Sequence, residues 1–400
     1  MERRPRVTFV APAVPGREER NGFSSRLHDL LLALLQVADV DLFVPRSSGV
    51  DSPAAVDYWR QVEGVTLHLA LESEMRSPIV HRTRRVGHHL FGRLPRWSAP
   101  RRAPELAGHL EGGGADILCL HLPVTAHLAQ IAPADVPVVA VLEEGLERGI
   151  LAPRERTWFH SIAARREARR VKRLYRRTSE RAAVVVAIST EERERLGEAG
   201  IDPDHIVVVP LGIDVSYFAP DPTGAEPDLD VAVFGEFRFE RNLAPARAAA
   251  AWAAVHHPAL RWGFVGDIES DDAEALRATG ATVSGRVDDL RANYATTKVV
   301  LVPAVAVTGV KTTLLQAWAM GKPAVSTPQS AVGVPAVDRE NVLIGRTTAE
   351  LVELCAQLAE SPTRREQLGA AGRQTVLEHL DGARIAAEFA QLVTSLASVR

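Results

Sequence analysis

The residues best suited to chemistry are a lysine and two threonines, Lys311-Thr312-Thr313, inside the run Val299 to Gly333, VVLVPAVAVTGVKTTLLQAWAMGKPAVSTPQSAVG. Val299 to Val302 is apolar throughout, as a strand covered on both faces must be. The turn Thr308-Gly309-Val310-Lys311-Thr312-Thr313 then opens a helix expected to run from Leu314 to Met320. The first amides of a helix have no internal partner, and the helix dipole is positive at that end. A cation and two hydroxyls placed there make a seat for phosphate. Gly321 suits the C-cap of this helix, and Pro323 prevents its continuation.

The segment that follows, Leu315-Gln316-Ala317-Trp318-Ala319-Met320-Gly321-Lys322-Pro323-Ala324-Val325, resembles the donor-binding motif of the retaining, nucleotide-sugar-dependent glycosyltransferases of the GT-B fold, the family-four group. The resemblance implies an α/β protein of two Rossmann-like, doubly wound domains facing a cleft. It also implies transfer from a nucleotide sugar to an acceptor hydroxyl with retention of configuration. Gly309, Thr312 and Thr313 would then hold the donor, and Lys311 would stabilise the leaving diphosphate. Gln316 stands where the family usually has a glutamate that hydrogen-bonds the ribose; its amide still offers donors and an acceptor to two hydroxyls. Thr308 stands where many members have a glutamate that touches the donor sugar. Both acids of that pair are absent.

Other positions follow from the same resemblance. After the family's first C-domain strand, a glycine and then basic residues hold the diphosphate; Gly235 is followed here by Glu236, so Arg238 and Arg241 become the candidates. The alternative for these two arginines is surface pairing with Glu236 and Glu240. Ser284-Gly285-Arg286-Val287-Asp288-Asp289-Leu290 resembles the segment that contacts the base, which nominates Arg286 and Val287 for donor binding; it also fits a plain strand-to-helix turn. Between the first strand and its helix, Asn21-Gly22-Phe23 occupies the place of the family's glycine-rich loop, with Gly22 able to approach the donor because it lacks a Cβ. Glu143 and Glu144 stand where the family often has a histidine, and a carboxylate there could orient an acceptor hydroxyl or accept its proton; the alternative is that both simply face solvent. His121 is as well explained by packing as by function. No His/Cys/Asp/Glu spacing resembles a metal site. The resemblance therefore implies no metal and no cofactor, only a UDP-, GDP- or dTDP-sugar as co-substrate.

The elements that must position these residues alternate between strand-like and helix-like segments along the whole chain, which argues for parallel sheets. The expected strands are Val7 to Val10, Val40 to Val44, Val65 to Leu69, Asp116 to Leu120, Val138 to Leu142, Val184 to Ile188, Val231 to Phe234, Trp262 to Val265, Val299 to Val302 and Pro323 to Ser326. A helix is expected from Leu27 to Gln36, and Ser189 or Thr190 should cap another. Four hundred residues suit two domains of about 200 each. The Pro/Gly turn at Pro210-Leu211-Gly212 marks the boundary. This gives an acceptor domain over 1–210, a donor domain over 211–382 and a helix over 383–400 that crosses back to the first domain.

The net charge of -3 gives no global basic field, so nucleic-acid binding is not indicated. Cys119 and Cys355 lie in apolar runs, as packed thiols in a reducing compartment would. MERRPRVTFVAPAVPG reads as a first strand rather than a signal peptide, and nothing approaches the ~20 apolar residues that span a bilayer. The expected location is the cytoplasm. Two basic stretches stand out. Arg82 to Arg102 interleaves arginines with Leu90, Phe91, Leu94 and Trp97, which suits peripheral contact with an anionic membrane. Arg165 to Arg177 fits either that role or a solvated helix face. The arginine- and alanine-rich composition suits a high-GC bacterium, where such enzymes build surface glycans or decorate natural products. The alternative to a transferase is a nucleotide-sugar-binding auxiliary protein of the same fold, or an unusual coupling enzyme.

Overall fold

Apolar runs with no polar alternation are stable only in sheets covered on both faces, and the chain builds two such sheets. The computed structural model describes residues 3–16, 22–46, 52–72, 103–143, 158–221, 227–305 and 309–397. Two compact units result: Met1–Leu211 together with Ala383–Arg400, and Gly212–Gly382.

The first unit holds β1 (Arg6–Val10), β2 (Asp39–Arg46), β3 (Val65–Glu72), β4 (Ile117–His121), β5 (Val138–Val141), β6 (Val184–Ala187) and β7 (Ile206–Val208). Their spatial order is β3-β2-β1-β4-β5-β6-β7, all parallel. The order reverses between β1 and β4, and ligands of doubly wound sheets bind beyond the strand ends at such a reversal. One face is closed by the Gly22–Val37 helix, with Leu27, Leu31 and Leu34 packed against Val7, Phe9, Leu42 and Trp59. Ile385, Phe389 and Val393 of the Gly382–Ser395 helix complete that core. Trp59 is fully buried and satisfies its indole by donating Nε1–H to the Pro15 carbonyl at 2.8 Å.

The second unit holds β8 (Leu229–Phe234), β9 (Trp262–Val265), β10 (Thr282–Gly285), β11 (Thr297–Val302), β12 (Ala324–Ser326) and β13 (Leu343–Ile344). Their order is β10-β9-β8-β11-β12-β13, again all parallel, with the reversal between β8 and β11. The Thr312–Ala319 helix follows β11. The Pro362–His379 helix lies so close to it that a Cβ on Gly372 would overlap the Trp318 ring, and one on Gly369 the Gly321 carbonyl. Arg373 fixes this end of the unit. Its guanidinium donates to the carbonyls of Ala319 (2.5 Å), Phe218 (2.8 Å) and Val215 (3.1 Å), supplying a partner to a helix-end carbonyl that would otherwise lack one.

The expected strands agree with these to within a few residues. β10 differs because Thr282–Gly285 alternates between exposed and half-buried, so it carries no apolar run. β13 is two residues long and gives no pattern at all. The helix after β11 starts at Thr312, with Lys311 as its extended N-cap (φ -83, ψ 100), two residues ahead of the Leu314 start. Ser189 is the N-cap of the Thr190–Glu198 helix and accepts from the Glu192 amide at 3.1 Å. Both cysteines are buried, and burial pushes both thiols well above their ordinary range.

Candidate functional site

In the second unit, three glycines end three neighbouring strands: Gly235 after β8, Gly266 after β9 and Gly285 closing β10. Gly266 adopts φ +144, and its amide donates to the Gly285 carbonyl at 2.8 Å. A Cβ there would overlap the Gly235 carbonyl. Glycine is required because the backbones meet with no room for a side chain. Arg238 and Arg241 follow Gly235. Arg238 is half-exposed and already faces two carboxylates, Glu236 at 3.4 Å and Asp267 at 3.3 Å. Arg241 stacks on the Phe239 ring with its guanidinium 4.5 Å from the centroid, and among the described residues it has no ion pair. The paired alternative therefore holds for Arg238, through Glu236 and Asp267, and does not hold for Arg241.

Lys311 lies at the start of the Thr312–Ala319 helix, with neither an ion pair nor a side-chain hydrogen bond among the described residues. Burial, and next the charge of Arg241, push its ammonium pKa below the usual value. Two cations that repel each other, beside helix amides without a side-chain cap, form a site that favours an anion. Gly309, Thr312 and Thr313 are half-buried around it. Thr308 lies outside the described residues.

Gln316 points into the unit and is 6% exposed. Its Oε1 accepts from the Tyr294 hydroxyl at 3.0 Å. Tyr294 is fully buried and stacks on Phe234 with ring centroids 3.9 Å apart. Tyr294 thus engages one of the two acceptor positions of the Gln316 oxygen, and among the described residues the amide N–H groups have no partner. Arg286 is exposed and Val287 half-buried. The turn that carries them is held by Asp289, which accepts from Tyr217 Oη (3.2 Å) and pairs with Arg291 (2.6 Å), while the Arg291 guanidinium lies 4.0 Å over the Tyr217 ring. Arg291 beside Asp289 holds that carboxyl below the usual range. Tyr294, Tyr217 and Arg291 were not foreseen from sequence. Only Asp289, inside the base-contact motif, gave a signal for this group.

In the first unit, Gly22 is the first residue of the Gly22–Val37 helix, one turn before Arg26. Arg26 is the other residue that sequence reasoning missed. It is buried, and its Nε lies 2.5 Å from Glu143 Oε1. Its terminal nitrogens donate to the carbonyls of Pro210 (2.5 Å) and Val209 (3.0 Å). Glu143 Oε2 lies 3.6 Å from Nε2 of His121, which is completely buried at the end of β4. Burial pushes the His121 imidazole down to about 4, against a smaller upward pull from Glu143. Glu143 is therefore engaged by a buried guanidinium rather than open to solvent. Glu144 lies outside the described residues, as does the basic stretch Arg82–Arg102. Of the second basic stretch, Arg170 is buried against Glu167 at 3.0 Å, while Arg165, Arg166, Arg169, Lys172, Arg173, Arg176 and Arg177 form an exposed helix face. Among the described residues no helix is long and apolar enough to cross a membrane.

Comparison with known proteins gives this anion seat its context. The sequence family described as Glycosyltransferase Family 4 matches residues 3–217, and that described as Glycosyl transferases group 1 matches residues 230–361. The chain belongs to glycosyltransferase family 4. No curated protein sequence matches it. Among solved structures, HepE of Anabaena in complex with UDP and glucose is 16% identical with a TM-score of 0.67, covering 98% of this chain and 100% of that one. Sucrose-phosphate synthase of Thermosynechococcus elongatus is 17% identical with a TM-score of 0.70, covering 99% and 100%. A glycosyltransferase of Rickettsia africae is 13% identical with a TM-score of 0.68, covering 100% of both chains. At these identities the likeness establishes the fold, two Rossmann-like sheets of the GT-B kind. Family membership makes this chain an enzyme of glycosyl transfer.

Proposed function

We propose that this family-4 transferase moves a sugar from a nucleoside diphosphate sugar to an acceptor hydroxyl, with retention of anomeric configuration and without a metal. The observation that carries the reading is the pair Lys311 and Arg241, two neighbouring cations without carboxylate partners among the described residues, beside an uncapped helix start. As the bond from the anomeric carbon to the diphosphate oxygen breaks, negative charge grows on the diphosphate. Lys311, Arg241 and the first amides of the Thr312–Ala319 helix neutralise that charge, which is the role a divalent ion fills elsewhere. Gly309, Thr312 and Thr313 line the diphosphate seat. Arg286 and Val287 sit on the turn that meets the base, and Gln316 donates to a ribose oxygen. Arg238, already paired, contributes orientation through Glu236 and Asp267.

Glu143 orients the acceptor side of the reaction as part of the Arg26 ion pair. Its engagement there leaves the departing phosphate oxygen as the acceptor of the hydroxyl proton. The first unit is the acceptor domain in this reading and the second the donor domain. Retention rests on the likeness of Leu315 to Val325 to retaining enzymes. UDP is the first nucleotide to test because HepE was solved with UDP and with UDP-glucose. The reaction is placed in the cytoplasm, in the assembly of a bacterial glycan or natural product.

The test is a thermal-shift titration with UDP, GDP, dTDP and ADP and their common sugars, followed by donor hydrolysis and transfer assays with the best ligand. A ligand bound only by the folded state raises its apparent stability. One nucleotide that shifts the transition supports the seat and names the base; no shift with any of them overturns the reading. Gln316→Glu gives a second check. Restoring a carboxylate beside Tyr294 should tighten donor binding, and unchanged affinity would place the ribose contact elsewhere.

A further inference from the structure

No spacing in the sequence suggests metal ligands, yet the first sheet gathers three. Asp41 on β2, His68 on β3 and His109 on the Pro104–Glu111 helix each present one ligand atom within 4.8 Å of the others. His68 lies 27 residues beyond Asp41, and its Nε2 is 3.0 Å from Asp41 Oδ1. His109 Nε2 is 3.6 Å from Asp41 Oδ2. Parallel pairing of β1 with β2 sets Thr8 beside Asp41, and the Thr8 hydroxyl lies 3.1 Å from the same His109 nitrogen.

The surroundings fix these groups. The His68 ring stacks on Phe43 at 4.2 Å with an interplanar angle of 10°, and His109 packs against the same phenyl ring at 5.1 Å. Gly114 leaves the His109 ring edge open: a Cβ there would lie 2.6 Å from Nε2. Asp41 is buried, and the two histidines are half-buried at the rim of the apolar cluster around Phe43, Leu106 and Leu110.

We propose that Asp41, His68 and His109 form a binding site for a divalent transition metal of the zinc class, with a water or the Thr8 hydroxyl as fourth ligand. Ligand bonds of ~2.0–2.2 Å in a tetrahedron place ligand atoms about 3.3 Å apart. Here His68 Nε2 lies 3.0 Å from one Asp41 oxygen and His109 Nε2 lies 3.6 Å from the other, and one ligand atom from each residue lies within 4.8 Å of the other two, so an ion would draw the three groups slightly together. Two imidazoles with one carboxylate select zinc-class ions over calcium or magnesium, which prefer all-oxygen sites. Arg6 Nη2 now donates to Asp41 Oδ2 at 3.1 Å, and an ion would displace it. The Arg6 side chain is 41% exposed, so it can turn to water. Its backbone amide stays on Asp116 at 2.9 Å, so the strand keeps its place. Occupancy would tie β3, at the sheet edge, to β2 and to the Pro104–Glu111 helix. The site lies on other residues than those that hold the donor or orient the acceptor.

The experiment adds Co2+ to the chelator-treated full chain and reads the visible d–d absorption of a tetrahedral site, then titrates Zn2+ to displace it, with thermal shift alongside. The wild type is expected to show the band, lose it to one equivalent of zinc and gain thermal stability with zinc. His68→Gln and Asp41→Asn should each weaken zinc binding by more than about 100-fold, beyond the roughly 10- to 100-fold cost of losing an outer-shell partner. Absence of the band and of any zinc-dependent shift in the wild type would overturn the proposal. So would a band that both variants retain, which would put the ion among the other of the chain's thirteen histidines. If one variant fails to fold, the other decides.

Discussion

Replacing Lys311 with methionine removes a charge but keeps an unbranched stem, and it should move two quantities in opposite directions. Burial and Arg241 both disfavour the Lys311 ammonium in the unliganded protein, so without ligand the variant should melt at the same temperature as the wild type or above it. A hydrogen bond to a charged group contributes about 1.5–3 kcal/mol, so a diphosphate that loses this contact should bind roughly 10- to 150-fold more weakly. At a ligand concentration of about 100 times the wild-type dissociation constant, the stabilisation is about 2.7 kcal/mol. A 30-fold loss of affinity reduces it to about 0.9 kcal/mol by the same relation. For a unit of this size 1 kcal/mol corresponds to about 2–4 °C. The nucleotide-induced shift should therefore fall from roughly 5–11 °C to roughly 2–4 °C. Scanning fluorimetry with and without nucleotide reads both quantities on one sample. A lower melting temperature without ligand, together with an unchanged nucleotide shift, would refute the assignment of Lys311 as a strained cation awaiting an anion.

Other perturbations follow from the same geometry. Gly266→Ala should destabilise the second unit by at least about 2 kcal/mol in urea denaturation, because φ +144 and the Gly235 carbonyl both oppose a Cβ. Arg26→Leu leaves Glu143 buried and unpaired and should cost about 3–5 kcal/mol. The double variant with Glu143→Leu should be less damaged than the sum of the two singles, though the Val209 and Pro210 carbonyls still lose their donor. The imidazole of His121 is depressed in the folded state from 6.5 to about 4, so the unfolded chain binds the extra proton first. Its stabilising contribution is complete above about pH 6.5 and fades as pH falls toward 4, by about 3 kcal/mol in all. Urea midpoints between pH 7 and pH 4.5 should fall less steeply in His121→Leu than in the wild type, and parallel slopes would exclude His121 as the source.

The framework was legible because parallel strands are long apolar runs; Val231 to Phe234 and Val299 to Val302 announce themselves. Lys311 was legible for a local reason, since its place relative to a strand and a helix is set by a few neighbouring residues. Arg26 was not, because its meaning comes from Glu143, Val209 and Pro210, distant in sequence and joined to it only by sheet order. Tyr294 was hidden in the same way: a tyrosine in a short helix reads as packing until the fold brings Gln316 to its hydroxyl. Arg238 and Arg241 looked equivalent as a pair of arginines three apart. Asp267, supplied by the neighbouring strand's end, separates them. Asp41, His68 and His109 met none of the usual ligand spacings because β2, β3 and a helix each contribute one residue.

The helix that closes the core of the first unit has a bearing on how the protein is made. Phe389, Ile385 and Val393 fill space among Val7, Phe9 and Leu27, yet a ribosome delivers them only after the entire second unit has emerged. Domains generally fold as units during synthesis, and exposed apolar surface at that stage invites aggregation. The first unit must wait with an open apolar face while the second folds. A stalled or proteolysed chain ending before Ala383 would keep that face uncovered, marking incomplete molecules for chaperones and proteases.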